Sequence, residues 1–100
     1  MKLIINEKEY NLKNCIKFRN RFLGLMFKKN INEYLLFENC NSIHTFFMFE
    51  NIDIIFLDKN NKILKKLIDV KPWKILICKK AKKVIELPKN TLKSKIKIVE

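Results

Sequence analysis

A continuous apolar run followed by a polar turn is the feature that most constrains how this chain can fold. Residues 52–57 read IDIIFL, and the turn at 58–61 is rich in the Asn and Asp residues that tolerate left-handed backbone. The next run, residues 62–70, reads KILKKLIDV and fits either a helix or a strand by its apolar spacing. Its short length between the turn and Pro72 favours a strand, so the two runs predict a β-hairpin.

Other short apolar runs predict that the chain is mainly β. The further extended segments are expected at residues 2–6, 10–18, 34–38, 43–49, 73–78, 83–87 and 92–98, with a turn around Asn6. Helical spacing of apolar residues between Phe18 and Phe27 predicts one short helix. The predicted fold class is therefore α+β, mainly β: residues 1–100 as one compact, barrel-like or strongly curved sheet with one or two short helices.

Positive charge is concentrated in the second half of the chain. The net charge is +12, and residues 59–100 carry +11 of it. Twenty lysines, twelve asparagines and fifteen isoleucines, against two arginines, are what an A+T-rich coding sequence would produce. The charge is explained either by that bias or by an anionic partner for the second half, and the sequence leaves both open.

The cysteines and the first residues bear on compartment. Cys15, Cys40 and Cys78 lie far apart, and this odd, scattered set is typical of reduced thiols in a cytosolic protein. The apolar run near the start, Leu3 to Ile5, is too short for a signal-peptide core, and no later run approaches a membrane span. We expect a cytoplasmic location and no membrane partner.

Cys40, His44 and Met48 recur at intervals of four and could each ligate a soft metal. Because Thr45 to Phe47 favour a strand, consecutive members would lie about 13 Å apart, at roughly 3.3 Å per residue. Metal–ligand bonds are about 2.0–2.3 Å long, so residues at that separation cannot share one ion. We therefore expect no metal site and no cofactor.

Five short motifs occur in a fixed order along the chain. They are RFLGLMF at 21–27, LLF at 35–37, SIHTFFM at 42–48, IDIIFLD at 52–58 and VIELP at 84–88. In this order the series resembles the DUF192 family (uncharacterised protein family UPF0127) over most of the chain. The resemblance implies a small, single-domain, largely β fold with short helices. It implies no reaction and no ligand.

Three polar residues are candidates for a ligand pocket. Arg21 could hold an anion through its planar guanidinium group, and His44 could take part in acid–base chemistry, for which histidine is suited near neutral pH. Asp53 lies in the apolar run 52–57, where a buried carboxylate would need a partner such as Arg21. The leading hypothesis is a non-enzymatic module that binds a partner protein or small molecule at these residues. A small enzyme that uses His44 and Asp53 for acid–base chemistry is an alternative. It is not the leading hypothesis, because no known catalytic signature occurs in the sequence.

A second set of candidates could contact anions. It consists of Lys79, Lys80, Lys82 and Lys83, together with Trp73, which could stack on a base. Arginine, which dominates specific base contacts, is nearly absent. The alternative hypothesis is therefore anion or non-specific nucleic-acid binding by the lysine-rich half.

Overall fold

The computed structural model describes residues 1–15 and 32–99, which form ten short β-strands. The strands are β1 (Lys2–Ile5), β2 (Lys8–Asn11), β3 (Lys13–Asn14), β4 (Leu35–Glu38), β5 (Ser42–His44), β6 (Ile52–Leu57), β7 (Ile63–Val70), β8 (Ile75–Ile77), β9 (Lys83–Pro88) and β10 (Ile96–Val99). One turn of 3-10 helix, Thr91–Lys93, precedes β10. The mainly β prediction is confirmed.

The strands pair into three sheets. The central sheet has five strands in the order β3-β4-β9-β6-β7, and the pair β3–β4 is parallel while the other pairs are antiparallel. A three-stranded sheet has the order β10-β1-β2, and β5 pairs with β8 in a two-stranded sheet. The hairpin predicted from residues 52–70 is confirmed as β6 and β7, and its first strand has the predicted bounds.

Strand β6 lies at the centre of the core because both of its faces are covered. Ile54 and Phe56 belong to one buried cluster, and Ile55 and Leu57 belong to another on the opposite face. Successive side chains of a strand point to opposite faces, so an uninterrupted apolar run is what a strand in this position requires. The central sheet is therefore the middle layer of three.

The two smaller sheets form the outer layers. Ile43 of β5 and Leu76 of β8 pack on the first cluster. Leu3 of β1 belongs to the second cluster, and Ile98 of β10 packs on it. The inner face of each small sheet is thus used for the core, and its outer face is turned away from the central sheet.

The barrel-like closure predicted from the sequence is wrong. Within residues 1–15 and 32–99 the central sheet ends at β3 and at β7, and each of these strands pairs on one side only. Strand β3 is two residues long, too short to bridge to β7. The expectation of one or two short helices is also wrong for the described residues, which contain no α-helix. The helix predicted between Phe18 and Phe27 lies outside them.

Several predicted strands are shorter than expected. The strand expected at 92–98 begins only at Ile96, after the 3-10 turn, and for two others the cause is a change of backbone direction. The strand expected at 43–49 ends at His44, and the one expected at 73–78 is reduced to Ile75–Ile77. Phe47 and Trp73 have φ of 61° and 67°, which a β-strand does not accommodate. Both residues favour strands by composition, so the sequence pattern extended the strands too far.

Candidate functional site

Thr45 joins the end of β5 to the loop that precedes β8. Its N–H donates to the Lys74 carbonyl at 2.9 Å, and its carbonyl accepts from the Trp73 N–H at 3.0 Å. Its hydroxyl donates to the Lys71 carbonyl at 2.8 Å and accepts from the Lys74 N–H at 2.9 Å. Thr45 is fully buried, where polar groups require partners, so these four bonds fix the loop 71–74 against β5.

Bonds to Thr45 hold two aromatic residues in an uncommon backbone conformation: Trp73 through the loop 71–74, and Phe47 through the Met48 N–H, which donates to the Thr45 carbonyl at 3.4 Å. Positive φ at a bulky residue is disfavoured and persists only where the surrounding structure imposes it. Trp73 lies inside the loop that Thr45 fixes, and Phe47 follows Thr45 by two residues. The directions of both rings are therefore set by the fold rather than by local preference.

The outer face of the two-stranded sheet is largely apolar. Ser42 pairs with Ile77 and His44 with Ile75, while the alternate residues of both strands point to the core. Trp73, Ile75 and Ile77 are 60%, 65% and 59% exposed. These three are among the most exposed large apolar side chains of the described residues.

Ring contacts extend this apolar surface beyond β8. The His44 and Phe46 ring centroids are 5.0 Å apart, and Phe46 stacks on Trp73 at 5.6 Å with an interplanar angle of 30°. Phe47 meets Trp73 edge-on at 4.7 Å, a preferred geometry for aromatic pairs. We call the continuous set the aromatic–isoleucine face; its members are His44, Phe46, Phe47, Trp73, Ile75 and Ile77.

The segments that build this face carry positive charge and no carboxylate. Residues 39–49 contain no Lys, Arg, Asp or Glu, and residues 71–83 contain six lysines and no acid. Lys71 and Lys74 flank Trp73, and both are exposed. Lys79 and Lys80 follow β8 and are exposed as well. The face is thus bordered by lysines.

Asp53 is fully buried, and both of its carboxylate oxygens accept hydrogen bonds from backbone N–H groups. Oδ1 accepts from Asp69 and Oδ2 from Leu92, each at 2.8 Å. A buried carboxylate is costly unless it is hydrogen-bonded, and these two bonds meet that need. Asp53 therefore contributes to the fold by joining β6 to β7 and to the 3-10 turn.

His44 is half-buried at the end of β5, and its Nδ1 accepts a hydrogen bond from the Phe46 N–H at 3.2 Å. A ring nitrogen that accepts carries no proton, so the proton of the neutral ring is on Nε2. Arg21 lies outside the described residues, and the convergence of Arg21, His44 and Asp53 stays a prediction.

The residues considered as metal ligands lie in different surroundings. Met48 is buried in the first cluster, and Cys40 packs against that cluster while its thiol donates to the Ser42 carbonyl at 3.1 Å. His44 faces outward instead. Among the described residues, His, Cys, Asp and Glu side chains form no group of three that could hold a metal ion.

The predicted anion-contacting residues divide between the two ends of β8. Trp73 precedes the strand, whereas Lys79, Lys80, Lys82 and Lys83 follow it. Lys82 lines a groove of about 430 Å³ beside Cys40 and Ser42. The Lys83 ammonium donates to Asn61 Oδ1 at 2.6 Å and lies 3.9 Å from Glu38 Oε1. The structure therefore places Trp73 beside Lys71 and Lys74 rather than beside the lysines of the predicted set.

Sequence reasoning missed Ile75 and Ile77, two of the three most exposed members of the face. The run Ile75-Leu76-Ile77 reads as a buried strand, because all three residues are apolar. Only the pairing with β5 shows that Leu76 alone points inward. The absence of acidic residues from both segments was a signal in the sequence that could have indicated a shared surface.

Within residues 1–15 and 32–99, no helix is long and apolar enough to cross a bilayer.

Comparison with known proteins identifies relatives over nearly the whole chain. The model of the DUF192 family, described as Uncharacterized ACR, COG1430, matches residues 1–98. A UPF0127 protein of Pyrococcus horikoshii is 41% identical over 95% of this chain and 90% of its own length. One of Thermococcus kodakarensis is 35% identical over 92% of this chain and 66% of its own length. The resemblance read from the five motifs is confirmed.

Two crystal structures share the fold. A Novosphingobium aromaticivorans protein of unknown function has a TM-score of 0.75 at 13% identity, with 97% of this chain and 82% of that chain covered. A candidate transcription regulator of Sinorhizobium meliloti has a TM-score of 0.75 at 16% identity, with 96% and 89% covered. At these identities the likeness concerns the fold alone. The family match and the archaeal relatives together show that this chain belongs to the DUF192 family, also named UPF0127.

Proposed function

We propose that this chain is a non-enzymatic binding module and that the aromatic–isoleucine face is its binding surface. The observation that carries the proposal is the exposure of Trp73, Ile75 and Ile77 on one face. His44 pairs with Ile75, and its ring is linked to Trp73 through the ring of Phe46. Soluble monomers rarely expose contiguous apolar patches larger than a few hundred Å², and larger ones mark interaction sites. A partner that covered this face would remove the apolar area from water, which is favourable.

The surroundings of the two candidate acid–base residues support a role without catalysis. Asp53 uses both carboxylate oxygens for backbone N–H groups, and His44 uses Nδ1 for the Phe46 N–H. A general base must reach the proton that it removes. The oxygens of Asp53 are buried and already accept from two backbone N–H groups, which leaves them poorly placed to take a proton from a substrate.

The extent of the face favours a macromolecular or extended partner over a small molecule. The face extends along β8 through Ile75 and Ile77, and the rings of Phe46, Phe47 and Trp73 continue it onto two loops. Small-molecule sites are usually concave and enclose most of the ligand. Side chains exposed along a strand and two loops are typical of a contact surface instead.

Hydroxyl-radical footprinting tests whether the face is covered in the cell. Trp73 is the only tryptophan of the chain, so its oxidation reports on this surface alone. We expect Trp73 to be labelled several-fold less in living cells that express the chain than in the purified protein. Equal labelling in the two settings would remove the proposal.

A second apolar residue supplies the control for this experiment. Val99 is exposed on β10 in the three-stranded sheet, away from the two-stranded sheet. Its labelling should be the same in cells and in the purified protein. Protection of Val99 to the same degree as Trp73 would indicate general shielding by the cell rather than a partner on the face.

Anion binding by the lysines after β8 is the second candidate function. Lys79, Lys80 and Lys82 are exposed, and the segment 71–83 has no carboxylate to offset them. Binding to mixed nucleic acids would then weaken steeply with salt, because neutralised phosphates release counterions. A log–log slope of binding against salt near zero would remove this candidate.

A further inference from the structure

We infer that the partner of the aromatic–isoleucine face is the surface of a membrane that contains anionic lipids. The inference rests on the proposed function and names the partner of the same site. The expectation of no membrane partner rested on the lack of a spanning run, whereas contact at the interface requires no spanning helix, since apolar side chains need enter only the boundary between head groups and acyl chains. Two independent features of the face, its side-chain types and its charge, support this partner.

The apolar side chains are of the kinds that partition into a membrane interface. Trp73 is 60% exposed, and tryptophan is enriched at the level of lipid head groups because its ring is apolar while its N–H remains wet. Ile75 and Ile77 are exposed on the same side of the chain. A lipid surface accepts such side chains without a shaped pocket, and the face offers few polar groups for a more specific partner.

The charge around the face complements anionic head groups. Lys71 and Lys74 flank Trp73, while Lys79 and Lys80 lie at the other end of β8. No carboxylate occurs in residues 39–49 or 71–83, so these two segments themselves carry nothing that repels an anionic surface. Lysine clusters beside apolar side chains are attracted to anionic lipids diffusely, without the planar geometry that arginine provides.

The backbone presents the rings before any partner arrives. Four of the hydrogen bonds of Thr45 fix the loop that carries Trp73, and Phe47 also has positive φ. Rigid presentation lowers the conformational entropy that is lost on binding. The face therefore needs no rearrangement to enter the interface.

Two other occupants fit the same observations less well. A second copy of this chain would bring its own six lysines of residues 71–83 against the first six, and like charges repel. Single-stranded nucleic acid binds by stacking on open ring faces, whereas Trp73 is already in contact with the rings of Phe46 and Phe47. An acidic protein remains as the other outcome of the test.

Vesicle co-sedimentation with the full chain tests the inference. The probes are vesicles of phosphatidylcholine alone and vesicles of equal parts phosphatidylcholine and phosphatidylglycerol. We expect at least about tenfold tighter binding to the anionic vesicles, a blue shift of Trp73 emission on binding, and weakening as salt rises. Absence of binding, or equal binding to both vesicles, overturns the inference.

Matched variants separate the face from the overall charge of the protein. Lys71→Gln/Lys74→Gln should weaken binding to the anionic vesicles several-fold more than Lys95→Gln/Lys97→Gln, which removes the same charge from the three-stranded sheet. Ile75→Ser should likewise weaken it more than Val99→Ser. Equal effects of the two lysine variants would mean that the protein adsorbs by net charge alone. Equal effects of the two serine variants would mean that Ile75 does not enter the interface, and either result overturns the inference.

The two proposals fail in different ways. If Trp73 is protected in cells but the purified chain ignores anionic vesicles, the face is a binding surface for an acidic protein and the membrane inference alone fails. If Trp73 is labelled equally in cells and in the purified protein, the proposed function fails as well.

Discussion

Asp53 and Leu92, 39 positions apart in the chain, are joined by a hydrogen bond of 2.8 Å from the Leu92 N–H to Asp53 Oδ2. The other oxygen accepts from Asp69, which has φ of 58°. At this point two residues of β7 stand opposite one residue of β6, which is a β-bulge. One buried carboxylate thus supplies partners both for the bulge and for the 3-10 turn before β10.

Replacement of Asp53 by Asn tests this role. The amide of Asp53→Asn keeps one acceptor oxygen and turns an N–H₂ donor toward the other backbone N–H. Hydrogen bonds to charged groups contribute about 1.5–3 kcal/mol each, and we expect the free energy of unfolding to fall by about 2–4 kcal/mol. Urea denaturation followed by circular dichroism measures the loss.

Asp58→Asn is the matched control. Asp58 accepts from the Asn60 and Lys62 N–H groups in the β6–β7 turn, and both bonds end on Oδ1. One carbonyl oxygen can accept both, so the loss should stay below about 1 kcal/mol. A loss as large as that of Asp53→Asn would show that charge, rather than the two separate acceptors, is what matters at Asp53.

Thr45→Val should loosen the loop that carries Trp73. Valine has nearly the shape of threonine but neither donates to the Lys71 carbonyl nor accepts from the Lys74 N–H. Each buried backbone group left without a partner costs about 1–3 kcal/mol, so we expect a fall of about 2–4 kcal/mol in the free energy of unfolding. Lower fluorescence anisotropy of Trp73 in the folded variant would show the loosening directly.

Thr45→Ser keeps the hydroxyl and serves as the control. It should retain most of the anisotropy and lose only the contribution of one methyl group, about 1 kcal/mol. If Thr45→Val matched the unsubstituted protein in both measurements, the loop would be held by its other contacts and not by the hydroxyl.

The sequence was sufficient to predict β6, because a strand that is buried on both faces appears in the sequence as a continuous apolar run. Every residue from Ile52 to Leu57 is buried, and the apolar run has the same bounds as the strand. The position of Trp73 was not predictable in this way. Its backbone direction depends on hydrogen bonds with Thr45, which is 28 positions earlier, and no local sequence pattern links the two residues.

The hydrogen-bond partners of Asp53 could not be predicted from the sequence either. The sequence indicated that a carboxylate in the run 52–57 would need a partner, and Arg21 was the residue with suitable chemistry. The partners in the structure are backbone N–H groups, which every residue except proline carries. No side-chain pattern marks Asp69 and Leu92 as donors, so only the fold could reveal them.

Lys82 and Lys83 are adjacent but should respond differently to the same substitution. The side chain of Lys83 is 17% exposed and donates to Asn61, whereas Lys82 is exposed. Lys83→Met should lower the free energy of unfolding by about 1 kcal/mol, the usual contribution of one hydrogen bond, and Lys82→Met should change it by less than about 0.5 kcal/mol.

Retention on immobilised heparin compares how well Lys82 and Lys83 bind an anion. Both substitutions remove one positive charge, but only the Lys82 ammonium is available to an anion. Lys82→Met should therefore elute at lower salt than Lys83→Met. The reverse order would mean that Lys83 leaves Asn61 to bind the anion.

Tyr34 should make stability decrease at high pH. Burial raises the pKa of the Tyr34 phenol above its usual value of 10.0, and the neighbouring Tyr10 phenolate raises it further. The two ring centroids are 4.9 Å apart. Above pH 10 the unfolded chain ionises this phenol more readily than the folded chain, so the folded state binds more protons and loses stability as pH rises. Below pH 10 the contribution is constant.

Two variants isolate this effect from the many lysines that titrate in the same range. In Tyr10→Phe, Tyr34 is the only tyrosine, and absorbance at 295 nm follows its ionisation; its pKa should stay above 10.0 because burial is the larger cause. In Tyr34→Phe, stability should fall less steeply above pH 10 than in the unsubstituted protein. If the stability of Tyr34→Phe and that of the unsubstituted protein fell in parallel above pH 10, the prediction would be contradicted. The pH dependence of stability in that range would then come entirely from the lysines.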